Sequence, residues 1–444
     1  MDSKMSLIKI SILFFLLIYR VSYSQRRIIK GRKVSANKSY VVYLLKASLS
    51  PRNYDSWMCG GALVTSDFII TSAACVEDVR YLYAIAGTNM YVPMQNIQDN
   101  PCADKMKKKV VFTCVPTSYN FDFDRIEKWS MIDIALARVE SPYNFKDTSI
   151  LEICPYIPSK IAINYDVKYQ NPGADCMVMG WGHDKKFRKQ SDMDDHNSEI
   201  LKFTSTQILD QEKCLKGYEY YPKLKPVIEN YMICTEGEGN INDLGLTKDQ
   251  KWPLLEECQP KGKRRMDDNS DCIEQNEDDQ NTDSMNFRRR LPQTNRTIYN
   301  YTTQEYIRKA AREIGAKRRT RRASQNGICQ NDHGGPLVTW VGTTEVLIGV
   351  ASVFQIDEHY NCVGPFLHTS TQKNGDFIDC ILNDWGKKKR HRRNVQCDSP
   401  PTVRGFDKID TYISWKDHPA GPAENELHEE KYKSPYSNKP LQGK

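Results

Sequence analysis

The residue types in this chain exclude several kinds of catalytic chemistry. Structural zinc sites need cysteines and histidines at close, regular spacing, and none of the 14 cysteines stands in a Cys-x-x-Cys pair. A serine nucleophile on a sharp strand-to-helix turn needs a Gly-x-Ser-x-Gly segment, which does not occur. We therefore expect no metal site, no cofactor and no relocated serine nucleophile.

Five short segments that are rich in small residues follow one another along the chain, and several of them carry groups that can exchange protons. They are residues 59–63, 68–75, 133–136, 180–182 and 329–337. Asp133 and Asp332 are the acids among them, and His333 is the imidazole.

In this order, the five segments resemble the chymotrypsin/trypsin-like serine proteases (family S1), from residue 28 to about residue 385. The resemblance implies an all-β fold of two six-stranded antiparallel β-barrels with the active site between them, and a C-terminal helix. The residue pattern agrees with this all-β fold. Over residues 28–234, short runs rich in Val, Ile, Tyr and Leu alternate with Gly, Pro, Asn and Asp, which predicts short strands joined by turns. We expect the helix over about residues 374–385.

The resemblance also indicates that two of the three catalytic groups are lost. Acyl transfer by a serine hydroxyl needs a base, an acid that orients the base, and donors for the oxyanion. Asp133 matches the orienting acid, but Ala74 stands at the place of the base and His333 at that of the nucleophile. Losing one such group costs several orders of magnitude in rate. We therefore predict a non-catalytic homologue, of the kind that is common in arthropods.

The positions that the resemblance assigns to substrate recognition are changed as well. The base of the specificity pocket, which is acidic in trypsins, falls on Gly327. The pocket wall reads Ser352-Val353-Phe354 where Ser-Trp-Gly is usual, so we expect Phe354 to obstruct the pocket mouth. The glycine of the oxyanion hole matches Asn331, whose Cβ restricts the backbone.

His333 offers a second hypothesis about the site. In the implied fold Asp133 is buried and has lost its partner at Ala74, which is costly for a carboxylate. An imidazole is longer than a serine side chain, so His333 could fill the gap and pair with Asp133, directly or through water. The alternative is a solvent-facing His333 beside a hydrated Asp133.

The start of the domain resembles an activation site. Cleavage after Arg27 would free an ammonium on Ile28, and Asp332 matches the acid that receives it in a buried ion pair. Two alternatives are open. Cleavage still changes the conformation of the protein without catalysis, or the two groups are retained from the family fold and no longer act as a switch.

The even number of cysteines in a secreted chain predicts disulfides. The resemblance implies that Cys59 pairs with Cys75, Cys214 with Cys234, and Cys329 with Cys362. The usual partner position of Cys176 is Thr339, so Cys154 and Cys380 are its candidate partners. The extra cysteines could close local loops, Cys102 with Cys114 and Cys258 with Cys272, which leaves Cys397.

An apolar run near the N-terminus predicts that the protein is secreted. The formal net charge of +7 is spread over 444 residues and does not imply nucleic acid. Residues 10–19 form an apolar run that is too short to span a bilayer and typical of a signal peptide. We expect residues 1–24 to be removed, residues 25–27 to be a short propeptide, and the protein to be secreted. No second apolar run indicates a membrane span.

Two charged segments accompany the domain over residues 28–386. Residues 235–328 contain few apolar runs and predict a disordered insertion, with one short helix over about residues 304–314. Residues 387–444 predict a basic and polar tail. Glycosylation sequons lie at Asn37, Asn295 and Asn300. Basic runs that end at Arg322 and Arg393 fit convertase processing, but they could instead bind polyanions or be passive solvated loops.

The sequence therefore predicts a secreted pseudoprotease that acts by binding proteins, as a cofactor, regulator or decoy in an extracellular proteolytic cascade. Its partners would be active proteases or protease inhibitors. One alternative is a precursor that is processed at dibasic sites to release basic chains. The other is a serine endopeptidase with a rebuilt site, which needs a nucleophile near His333.

Overall fold

The computed structural model describes residues 29, 31–48, 56–120, 125–183, 186–189, 192–247, 297–299, 326–357, 359–386, 408–423 and 425. The predicted signal peptide and propeptide, the helix over residues 304–314 and most of the insertion lie outside these residues.

Six strands close the first barrel. They are β2 (Val41–Lys46), β3 (Met58–Leu63), β4 (Phe68–Thr71), β5 (Leu82–Ile85), β6 (Lys107–Pro116) and β7 (Ala135–Val139). Their order around the barrel is β5-β2-β3-β4-β7-β6, and the long strand β6 closes it by pairing with both β5 and β7. β2 to β5 are buried along their whole length, which is why they read as near-continuous apolar runs.

Six further strands close the second barrel. They are β9 (Asp175–Gly180), β10 (Lys202–Ile208), β11 (Met232–Glu236), β13 (Pro336–Val341), β14 (Thr344–Ile356) and β15 (Cys362–Ser370). The order is β10-β11-β15-β14-β13-β9, and β9 pairs back onto β10. Two closed six-stranded antiparallel barrels confirm the predicted fold class.

Three short strands pair with strands of the second barrel. β1 (Arg32–Lys33) pairs with β10, while β8 (Ala162–Ile163) and β12 (Thr297–Tyr299) both pair with β14. β12 is a described piece of the predicted insertion.

Helices are short and few among the described residues. They are α1 (Ala73–Asp78), α2 (Pro101–Met106), α3 (Ile126–Trp129), α4 (Gln211–Gly217), α5 (Lys225–Tyr231) and α6 (Gly375–Gly386). Short 3₁₀ helices cover Met94–Asp99, Thr148–Glu152, Val167–Gln170 and Pro222–Leu224. α6 is the expected C-terminal helix, displaced by one residue. In the part of the chain that the structure describes, every helix is too short or too polar to cross a membrane.

The predicted polar tail contains a structured segment, which corrects its description as a tail. Strand β16 (Lys408–Tyr412) pairs with the second half of β6 and adds a seventh strand to the first barrel. Beyond it, Trp415 is buried against the ring of Tyr81, at 5.1 Å between centroids, and its Nε1 donates to the Val110 carbonyl at 2.8 Å. The Asn425 side chain then exchanges two hydrogen bonds with the Tyr81 backbone. Burial of apolar groups here outweighs the polar composition that the sequence shows.

The insertion also begins later than predicted. Thr235 is fully buried, and Asp243 is buried where its Oδ2 accepts hydrogen bonds from Ser35 N, Ser35 Oγ and Ala36 N at 2.6–2.8 Å. These contacts hold Asp243, near the start of the predicted insertion, against the segment between residues 33 and 41.

The three disulfides that the resemblance implied are present. They join Cys59 to Cys75, Cys214 to Cys234, and Cys329 to Cys362. The predicted pair of Cys102 with Cys114 is wrong, because Cys102 is bonded to Cys154 with their Cα atoms 4.9 Å apart.

Strand geometry explains this correction. β6 separates Cys102 from Cys114 by an extended run of about 20 Å, at ~3.3 Å per residue, which no disulfide can bridge. Cys114 is therefore a free buried thiol on β6. Cys176 is also free, so its expected pairing with Cys154 or Cys380 is wrong. Cys380 is disulfide-bonded, while Cys258, Cys272 and Cys397 lie outside the described residues.

Candidate functional site

Asp133 is the centre of a buried polar cluster that joins the two barrels. It stands in the loop before β7 and is fully buried. Its Oδ1 accepts a hydrogen bond from the backbone N–H of Ala74 at 2.9 Å. Its Oδ2 accepts from Ser352 Oγ at 2.6 Å and from His333 Nε2 at 2.8 Å. Three donors therefore replace the water that this carboxylate loses on burial.

The backbone of Ala74 is positioned by the start of α1. β4 ends at Thr71, and the side chain of Ser72 caps the helix by accepting from Cys75 N at 3.2 Å. The disulfide from Cys59 to Cys75 ties the helix to β3. This arrangement points the Ala74 amide at Asp133, while the methyl side chain contributes no polar group.

His333 stands in the turn that leads into β13, and its side chain is buried. Its carbonyl accepts from Gly60 N at 2.7 Å, which binds the turn to β3. Gly334 takes a positive φ of 81°, and a Cβ there would come within 2.3 Å of Thr71 Oγ1, so only glycine fits this close approach. The direct contact to Asp133 is the first of the two arrangements expected for His333; the solvent-facing alternative is not found.

The place expected for a specificity pocket is occupied by protein. A Cβ on Gly327 would lie 2.1 Å from the ring of Phe366, so this ring covers the glycine directly. Phe354 is also buried and packs against Phe187 with ring centroids 6.1 Å apart. Phe366 was missed by the sequence reasoning; an aromatic residue four positions after Cys362 is the signal that could have found it.

Asn331 stands at the position matched to the oxyanion hole and takes a positive φ of 70°. The left-handed region is one that asparagine tolerates better than other residues with a Cβ. Its Nδ2 donates to the Ser56 carbonyl at 3.0 Å and to Asn197 Oδ1 at 2.7 Å. The side chain thus holds this backbone in one conformation.

Asp332, the acid matched to the activation switch, is buried against two glycines. Its Oδ1 accepts from Gly182 N at 2.8 Å and its Oδ2 from Cys329 N at 3.0 Å. Burial raises the pKa of Asp332 to about 7, against the opposing effect of these two hydrogen bonds. A Cβ on Gly180 would lie 2.4 Å from the carboxylate, which explains one glycine of the 180–182 segment.

Some of the remaining predicted sites lie within the residues that the structure describes, and others lie outside them. Ile29 is buried and forms an isolated bridge with Gly327, but Arg27 and Ile28 lie outside the described residues, so activation stays a prediction. Asn37 is exposed, and its Oδ1 accepts from Ser39 N at 3.0 Å. The other predicted modification sites are outside the described residues: Asn295, Asn300, Arg322 and Arg393.

Comparisons with known proteins agree with this architecture. Residues 28–244 match the family model for Trypsin. Snake venom serine protease 2B from Craspedocephalus gramineus is 27% identical over 179 residues, which cover 40% of this chain and 58% of that protein. Snake venom serine protease Dav-KN from Deinagkistrodon acutus is 24% identical over 261 residues, which cover 58% of this chain and 84% of the relative.

Among solved structures, neuropsin, a serine protease expressed in the limbic system of mouse brain, aligns at 15% identity and a TM-score of 0.43. The alignment covers 80% of this chain and all of that one. The chain spans 58% of the length of the first venom relative. The arthropod origin stays a prediction, since the two venom relatives come from snakes. The family model, the venom relatives and the two barrels together show that this chain contains a domain of the trypsin family (S1).

Proposed function

We propose that this protein is a secreted, catalytically inactive homologue of trypsin-family proteases that acts by binding other proteins. The arrangement around Asp133 carries the proposal. The imidazole of His333 donates to this carboxylate from the position matched to the nucleophile, and Ala74 offers the carboxylate only a backbone N–H. Acyl transfer needs a hydroxyl beside an imidazole that can accept its proton. The Ser352 hydroxyl donates its hydrogen bond to the carboxylate of Asp133 rather than to an imidazole.

The filled pocket supports the same conclusion. A trypsin-family protease binds one substrate side chain deeply before it cleaves the neighbouring bond, and here the Phe366 ring covers Gly327. Productive positioning supplies a large part of enzymatic rate acceleration, so its loss lowers the rate independently of the lost catalytic groups.

An extracellular location is supported by three observations. Four disulfides join described cysteines, the sequence begins with a segment typical of a signal peptide, and the relatives are named as venom proteases. The proposed partners are active proteases and protease inhibitors of an extracellular cascade. This chain would bind them through the surface of its trypsin-family domain, without cleaving them.

Catalysis is tested with a labelled peptidyl phosphonate that reacts with active serine proteases. We expect no covalent label on this protein, while an active trypsin-family protease in the same reaction is labelled. Stoichiometric labelling that disappears in Ser352→Ala would instead establish an endopeptidase with a rebuilt site, because Ser352 is the hydroxyl bonded to Asp133.

Binding is tested separately, by titrating the purified protein into a mixture of an active protease and its protein inhibitor. A decoy raises the inhibitor concentration needed for half-inhibition, whereas a cofactor raises kcat/KM of the protease without inhibitor. No effect in either assay, together with no complex by gel filtration, contradicts the proposal.

Release of a basic peptide from the C-terminal region is less well supported. Residues 408–425 contribute a strand, a buried tryptophan and a buried asparagine to the first barrel. Cleavage after Arg393 would therefore leave this part of the chain docked on the barrel.

A further inference from the structure

Residues 408–423 and 425, which we call the C-terminal segment, lie on the outside of a barrel that is already closed. β6 pairs with β7 along one edge, and with β5 through the first part of its other edge. β16 occupies the rest of that second edge, where it pairs with residues 112–116 in antiparallel register. Among the strands that the structure describes, β16 pairs with β6 alone. Without the C-terminal segment the barrel would therefore keep its six strands, and β6 would present an open edge to which another extended chain could pair.

Trp415 anchors the C-terminal segment on the barrel. Its side chain is only 8% exposed, and its ring contacts the rings of Tyr81 and Tyr83 with centroids 5.1 and 5.2 Å away. The ammonium of Lys109 lies 5.2 Å from the centre of the same ring, which is a cation–π distance. Nε1 donates to the Val110 carbonyl at 2.8 Å, so the polar atom of the side chain is satisfied as well. A buried tryptophan with these contacts is typical of the hot spot of a binding interface.

Beyond Trp415, the segment is held by hydrogen bonds to the barrel. The Asn425 side chain accepts from Tyr81 N and donates to the Tyr81 carbonyl, both at 2.7 Å. The Asn425 carbonyl accepts from Arg80 N at 3.3 Å, and the Pro422 carbonyl accepts from Ser48 Oγ. The segment thus has the contacts of a bound peptide: strand pairing at one end, a buried aromatic anchor, and hydrogen bonds at the other end.

We propose that this face of the first barrel is a peptide-binding site, and that the C-terminal segment is its built-in ligand. The site fits an extended peptide that pairs with β6 and carries a tryptophan three residues after its last paired residue, as Trp415 follows Tyr412. In the intact chain, the covalent connection to α6 keeps the site occupied by raising the effective concentration of the segment.

Hydrolysis of the chain between α6 and β16 would turn the segment into a non-covalent ligand. The predicted convertase site at Arg393 lies in this interval. The bound segment could then be exchanged for the same segment of a second copy of the chain. This inference concerns the first barrel alone, and it does not depend on the absence of catalysis at Asp133.

The experiment uses the full chain, with residues 388–393 replaced by the recognition sequence of an added, sequence-specific protease. Cys397→Ser removes the single cysteine that follows this site, so that no disulfide can hold the released fragment. A fluorescein-labelled synthetic peptide of residues 408–425 is then titrated with the cleaved or the uncut chain, and binding is followed by fluorescence anisotropy. We expect saturable binding to the cleaved chain, and binding to the uncut chain that is weaker by at least about 100-fold.

Variants of the peptide test the anchor without affecting the fold of the protein. A peptide with Trp415→Ala should bind the cleaved chain at least about 30-fold more weakly, as expected for a hot-spot residue. Lys416→Ala is the matched control, because Lys416 is exposed next to the anchor, and it should change the affinity by less than about 3-fold.

Four results would overturn the proposal. The first is that the labelled peptide does not bind the cleaved chain. The second is equal affinity of the cleaved and the uncut chain, since the peptide would then be bound elsewhere. The third is equal affinity of the native and the Trp415→Ala peptide. The fourth is loss of the circular dichroism of the cleaved chain when its fragment is removed by gel filtration, because the segment would then be part of the fold rather than a ligand.

Discussion

Removal of the His333 imidazole should destabilise the fold strongly, because it leaves a buried carboxylate with fewer donors. Deleting one partner of a buried ion pair costs about 3–5 kcal/mol. Asp133 keeps the Ala74 amide at 2.9 Å and the Ser352 hydroxyl at 2.6 Å, so we expect His333→Ala to cost near the lower end, about 3 kcal/mol. The cavity left by the ring contributes to the same loss.

The assay is urea unfolding at pH 7, followed by tryptophan fluorescence, on the native chain and on His333→Ala, Asp133→Asn and the double variant. If the two side chains are bonded, the free energies of the single variants should fail to add by about 1.5 kcal/mol or more. His359→Ala is the matched control, since His359 is exposed, and should stay within about 0.5 kcal/mol of the native chain.

Two outcomes would refute this reasoning. One is a cost below about 1 kcal/mol for His333→Ala, which would mean that the imidazole is not a buried partner of the carboxylate. The other is additivity of the two single variants within about 0.3 kcal/mol, because side chains that do not touch are additive to that level.

Three further predictions concern other parts of the site and fold. Phe366→Ala should cost about 3–5 kcal/mol in urea unfolding, because it leaves a cavity beside a glycine whose surroundings cannot fully collapse. Burial raises the pKa of Asp332 to about 7, so its contribution to stability is complete below about pH 4 and lost as the pH rises through about 7. Asp332→Asn loses one accepting oxygen at every pH, because an amide nitrogen cannot accept from Gly182 N or Cys329 N. Its stability relative to the native chain should nevertheless rise between pH 4 and pH 8, measured by thermal unfolding across that range. Replacing both Cys102 and Cys154 by Ser should cost about 4 kcal/mol, since the disulfide closes a loop with a sequence separation of 52.

The first two predictions have their own controls, and a separate measurement tests the free cysteines. Tyr412→Ala removes an aromatic ring that is 64% exposed and should cost far less than Phe366→Ala. A chain that starts at Ile28 should lose the pH effect of Asp332→Asn if the new ammonium reaches Asp332, which tests the activation hypothesis directly. Peptide mapping without reduction should recover Cys176 as a free thiol; finding it in a disulfide contradicts the present assignment.

The fold was predictable because its signals are local and ordered. Short apolar runs between turn residues predicted strands, and the two barrels followed from the resemblance of the five ordered segments to the S1 family. The same reasoning could not find β16, because its polar residues predict a solvated tail. Only the contacts of Trp415 with Tyr81 and Val110 show that this segment packs on the first barrel. Contacts between residues more than 300 positions apart leave no pattern in the nearby sequence.

The sequence predicted which residues form the site, but it predicted less of how their side chains are arranged. The identities of Ala74, Asp133 and His333 followed from matched segments, and the gap at Ala74 left two arrangements open for the imidazole. The structure has the direct bond of 2.8 Å, because the turn at Gly334 brings His333 against β3 and Asp133 needs a third donor. Phe366 was missed because its effect on Gly327 depends on the path of the chain after Cys362.

The sequence by itself determined which chemical groups stand at each matched position, because side-chain identity is fixed by the chain alone. It also determined the class of fold, since strand patterns and turns are encoded within a few residues. Only the tertiary structure decided which of these groups meet: His333 with Asp133, and Cys102 with Cys154. Such pairings depend on how distant segments pack, and packing is settled by the burial of the whole core.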